Sequence, residues 1–185
     1  VTRICVVGGQ VLDPVAAPVL AAVLGAVLDR YDELAAADPS VVAPCAAGVL
    51  SGAAAVVDRG LDEASGCCGQ LWVRLVNLYP TAQFPAQDAT SVGDRDLSWA
   101  VVVEVGVVRP APVVREAGTE LLLPTMEEET AAADRAVLDA AIVRDALLYT
   151  YADALDVGMV LGAFVPFGPD GGVVGGATTA TVHVP

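Results

Sequence analysis

Residues 97–109, LSWAVVVEVGVVR, constrain the fold more than any other stretch. Leu97, Trp99, Val101, Val103, Val105 and Val107 fall on one side of an extended chain. Ser98, Ala100, Val102, Glu104, Gly106 and Val108 fall on the other. The β-branched density is high, so the segment reads as a long strand. Its nearest candidate neighbour begins at Gln70, where Leu71, Val73 and Leu75 alternate with Gln70, Trp72, Arg74 and Val76. The two segments read as an antiparallel pair. Pro110 and Pro112 close the longer strand, because proline gives a ladder no donor. Residues 77–85, NLYPTAQFP, read as a proline-punctuated exit from the shorter one.

Helical signals flank this pair. Asp13-Pro14 reads as an N-cap followed by proline at the first helical position. Val15, Val19, Val23, Val27 and Leu34 then recur at helical spacing to about Ala36, and Asp38-Pro39 stops the run. Thr125 with Glu128 forms a capping box for a second helix, and Glu127, Glu128 and Glu129 suit the positive end of its dipole. In that helix Leu138, Ile142 and Tyr149, with Ala141 and Ala146, make the expected buried stripe. Asp134, Arg135, Asp139 and Arg144 make the expected solvated face. Two further strands follow, over 158–167 and 178–184, joined by the glycine-rich stretch 168–176, GPDGGVVGG, read as a turn with mobile backbone. Residues 1–10 read as a short extended arm. Residues 39–66 and 80–96 read as long connections, the first with room for one short strand or helix. The expectation is one domain over 1–185, α+β, with a mainly antiparallel sheet of about four strands and two helices on one face.

The charge balance narrows function. The chain has 23 acidic residues against 9 basic ones, all arginine, for a formal net charge of −14. DNA affinity comes mainly from Lys and Arg neutralising phosphates, so this chain repels DNA unless its arginines cluster. It repels anionic membrane for the same reason. The apolar run 11–28 approaches spanning length, but Asp13, Pro14 and Pro18 interrupt it, and it reads as a buried soluble helix. Aromatic residues are only 5%, so the core must come from small branched side chains.

Candidate chemistry is sparse. Cys67 and Cys68 are adjacent, whereas zinc and redox pairs use two intervening residues so that both sulfurs face one ion. Adjacent side chains at a strand entrance point apart. Buried reduced thiols are the first expectation for the four cysteines, Cys5, Cys45, Cys67 and Cys68. A disulfide from Cys67 or Cys68 to Cys45 would staple the 39–66 connection. His183 is the sole histidine, and general acid–base work would rest on it. No nucleophile elbow, P-loop or dinucleotide fingerprint accompanies it. No catalytic, cofactor-binding or metal-ligating residue is assigned. A metal-binding or enzymatic domain using Cys67, Cys68 and His183 is the rival reading.

Three stretches together, 67–85 CCGQLWVRLVNLYPTAQFP, 97–112 LSWAVVVEVGVVRPAP and 166–184 PFGPDGGVVGGATTATVHV, resemble the tail terminator proteins of long-tailed phages that infect actinobacteria. The Ala-, Val-, Gly- and Arg-rich, lysine-free composition agrees with a GC-rich source. The resemblance implies a small α+β virion subunit, made in the host cytoplasm, that assembles into a ring, typically a hexamer. The ring would cap the tail tube and join it to the head connector, leaving a channel through which DNA passes without specific binding. The implied partners are copies of itself, the major tail tube protein and the head–tail connector or stopper. No enzymatic activity is implied. A head–tail stopper or adaptor, or a minor tail protein of the same neck, is the neighbouring alternative. The resemblance also places a cysteine where this chain has Pro110 and another where it has Val173, as candidate partners for the pair at 67–68.

Overall fold

The computed structural model describes residues 3–4, 13–50, 69–87, 98–112, 114–117, 120–152, 158–170 and 172–185. The elements are β1 (Arg3–Ile4), α1 (Ala16–Ala37), β2 (Ala46–Leu50), β3 (Gln70–Thr81), β4 (Ser98–Pro110), β5 (Arg115–Ala117), β6 (Glu120–Leu122), α2 (Met126–Asp145), β7 (Met159–Asp170) and β8 (Val173–Val184). A π-helical segment, Ala146–Ala152, continues α2. Six strands form one sheet in the order β1-β2-β3-β4-β8-β7, and β5-β6 is a separate two-stranded ribbon. Pairing is parallel for β1-β2 and β2-β3 and antiparallel for the rest. The fold is thus α+β with a mainly antiparallel sheet and two helices.

The expected pairing is present. Val73 lies opposite Val105, and Leu71 opposite Val107. Val101, Val103, Val105 and Val107 are buried in one cluster with Val23 and Val27 of α1 and Ile142 and Val143 of α2. Packing here comes from β-branched and small side chains, with Tyr31 as the one large ring in that cluster. α1 starts as its sequence dictates: Asp13 Oδ1 accepts from Val15 N at 2.9 Å and Ala16 N at 2.8 Å. α2 carries its capping box, with Thr125 N donating to Glu128 Oε2 and Glu128 N to Thr125 Oγ1.

Four expectations need correction. First, β3 does not end before Asn77. A bulge between Leu75 and Asn77 shifts the side-chain phase and brings Leu78 against the core. Pro80 is tolerated because β2 pairs β3 only over 70–74, so the remainder has one free edge. Second, the glycine-rich stretch is mostly strand. β8 begins at Val173, and a Cβ on Gly175 would stand 2.0 Å from the Val107 carbonyl oxygen. One on Gly176 would meet the Phe164 ring at 2.3 Å. Close packing, not mobility, requires these two glycines, while Gly168 at φ 95° and Gly172 at φ 83° hold the left-handed backbone that favours glycine. Third, Leu138 and Tyr149 are exposed while Asp139 is buried. Fourth, the sheet has more strands than four, because β2 forms inside the 39–66 connection and β1 adds to it. Residues 51–66 and 88–96 of the two long connections lie outside the described residues.

Candidate functional site

His183 is partly buried on β8, where its ring centroid lies 5.0 Å from that of Phe84 with the two planes tilted by 41°. Its Nε2 lies 2.7 Å from Ser98 Oγ. That hydroxyl also lies 2.9 Å from the Thr81 carbonyl oxygen. The contacts tie together the ends of β3, β4 and β8, which carry Thr81, Ser98 and His183.

The cysteines divide. Cys67 and Cys68, like Cys5, lie outside the described residues. Cys45 is exposed and disulfide-bonded, which corrects the expectation of a buried reduced thiol. Its N–H and that of Ala46 both donate to the Gly69 carbonyl, and its Sγ stands 3.1 Å from the same oxygen. Pro110 and Val173 are directly opposed on β4 and β8. Cysteines at those positions would be cross-strand neighbours of each other. No group of three or more His, Cys, Asp or Glu among the described residues is placed to hold a metal ion. No described helix is long and apolar enough to cross a membrane.

Two ionic clusters occupy opposite faces of the sheet. On the helix face Arg109 of β4 donates from Nε to Asp139 Oδ2 at 2.9 Å and from Nη2 to Oδ1 at 2.7 Å. Tyr31 of α1 donates to the same Oδ1 at 2.7 Å, and Arg109 Nη2 also reaches the Val42 carbonyl. Burial, with the Asp139 carboxylate beside it, holds the Tyr31 phenol well above its ordinary pKa. On the other face Arg74 grips Glu104 through two bonds of 2.6 and 2.7 Å, and Trp72 Nε1 donates to Glu104 at 3.1 Å. The Arg74 guanidinium holds the Glu104 carboxyl below its usual range. Trp72 lies flat over Gly106, where a Cβ would sit 2.1 Å from its ring.

The surface feature that stands apart is apolar. Val114, Leu121, Leu122, Leu123 and Met126 are all exposed, on and beside the β5-β6 ribbon. The first half of α2 has no buried residue before Asp139. A second apolar feature is a groove of about 450 Å³ between the later turns of α2 and β7, lined by Val137, Ala140, Ala141, Leu161, Phe164 and Pro166. Sequence reading missed both. The ribbon is too short to show a period, and three consecutive leucines before a proline carry no face assignment. It also missed Arg109 and Asp139, because alternation and helical spacing locate faces but not the partner of a buried charge.

No protein-family model matches the chain, and no curated protein matches it.

Proposed function

We propose that the chain is a structural virion protein: a tail terminator whose ring caps the tail tube and joins it to the head connector. The observation that carries this reading is the uneven cover of apolar surface. A closely packed α+β body leaves a leucine-rich ribbon and an apolar groove open to solvent, and exposed apolar patches of this kind mark contact surfaces. The resemblance of 67–85, 97–112 and 166–184 to tail terminators supplies the kind of assembly. Two properties agree. A net charge of −14 suits a channel that DNA passes without adhering. A disulfide at Cys45 suits a protein that works on a virion outside the reducing cytosol.

The test is particle mass in solution, combined with electron microscopy of tails assembled with the protein. A closed ring seated at the head-proximal end of the tube, with tube length fixed by its addition, supports the terminator. A ring seated between terminator and connector identifies a stopper or adaptor instead. A persistent monomer with no density at the neck overturns the reading. Stoichiometric zinc whose chelation unfolds the chain would favour a metal-binding domain on Cys67, Cys68 and His183.

A further inference from the structure

A ring of identical subunits needs two different surfaces on each copy, because its contacts run head to tail. We infer that the β5-β6 ribbon of one copy packs into the α2/β7 groove of the next. This inference rests on the ring reading above.

The ribbon is one half of the contact. Its two strands pair only with each other among the described residues. An isolated two-stranded ribbon is marginal in water. Leu121, Leu122 and Leu123 are consecutive and all exposed, so both ribbon faces offer apolar surface. Leu123 is 74% exposed and Met126 is 79% exposed. Such side chains gain most from burial when a partner covers them.

The groove is the other half. Its walls are apolar, and the hydroxyl within it, Thr178 Oγ1, already donates to the Gly162 carbonyl at 3.0 Å. A small-molecule site has convergent polar groups to orient its ligand; this groove has apolar walls and Arg144 at its rim. Strand addition along β7 is disfavoured, because two register shifts and Pro166 and Pro169 blunt that edge. An apolar side-chain contact is what remains.

A chain cannot fill its own groove. α2 is continuous from Met126 to Asp145, so the helix start, where the ribbon joins it, lies about 17 Å along the axis from Val137 in the groove. Only residues 123–125 join the ribbon to the helix. The two surfaces therefore serve different neighbours at once. Charge agrees: the exposed Glu127 and Glu129 lie beside the ribbon, while the exposed Arg144 borders the groove and has no ion-pair partner among the described residues.

The experiment uses two variants of the full chain, Leu123→Asp on the ribbon and Val137→Asp in the groove. Both positions are at least 70% exposed, so each variant should keep the far-UV spectrum and melting point of the parent. By sedimentation velocity, each alone should lose the assembly of the parent and run as a monomer. Mixed in equal amounts they should form a one-to-one dimer, since the ribbon variant keeps a good groove and the groove variant keeps a good ribbon. A mixture that stays monomeric, or either variant assembling like the parent, overturns the inference while the ring reading stands. A parent chain that never assembles takes the ring reading down with it.

Discussion

Arg109 and Arg74 each grip a carboxylate with two guanidinium nitrogens, from opposite faces of one sheet. The Arg109–Asp139 side chains are 8% and 4% exposed, against 14% and 18% for Arg74–Glu104. The inner cluster joins β4, α1 and α2 and the carbonyl of Val42, elements far apart in sequence. The outer one joins neighbouring strands and a tryptophan on one of them. Geometry is equally good in both, so burial and connectivity should decide what each contributes. A buried pair adds little net stability over apolar packing, yet removing one partner strands a charge. The inner cluster is therefore better seen as a device that fixes how the helices seat on the sheet.

The largest expected effect follows directly. Asp139→Ala removes the carboxylate that two nitrogens of the buried Arg109 guanidinium hold, and should cost about 3–5 kcal/mol in urea unfolding. Next comes Gly106→Ala. Its Cβ would occupy the space of the Trp72 ring, and displacing that ring should cost about 1–3 kcal/mol and change tryptophan fluorescence. Glu104→Gln should cost less, about 1 kcal/mol, because Arg74 can take up water at its partly open site. Equal losses for Asp139→Ala and Glu104→Gln would erase the distinction between the clusters.

The sequence carried the sheet further than it carried these clusters. Alternation in 70–76 and 98–108 identifies two central strands and their core faces, since period two follows from the pleat. The Thr125–Glu128 box and Asp13-Pro14 locate both helix starts, because caps are local chemistry. What alternation does not reveal is any choice made by tertiary contact. Asp139 lies among Asp134, Arg135 and Arg144 in a polar-looking helix, and only the approach of β4 and α1 buries it. Gly175 and Gly176 look like loop residues until Val107 and Phe164 are seen against them. Bulges at Val76 and within β7 reset the phase of otherwise readable strands.

The smallest expected effects separate the clusters by pH. Tyr31 titrates higher in the folded chain than in the unfolded one, chiefly through burial. Its contribution is therefore complete below the unfolded value of about 10 and is lost as pH rises beyond it. Glu104 titrates lower in the folded chain, chiefly through its hydrogen bonds from Arg74. Its contribution is complete above the unfolded value of about 4.3 and fades as pH falls through the folded one. Tyr31→Phe should thus flatten the alkaline limb of a melting-temperature profile and leave the acid limb alone, and Glu104→Gln should do the reverse. The measurement is a melting series from pH 3 to pH 11 on parent and both variants. If Tyr31→Phe left the alkaline limb as steep as before, the buried phenol beside Asp139 would not be the group that weakens the fold at high pH, and the pH contrast between the two faces would be lost.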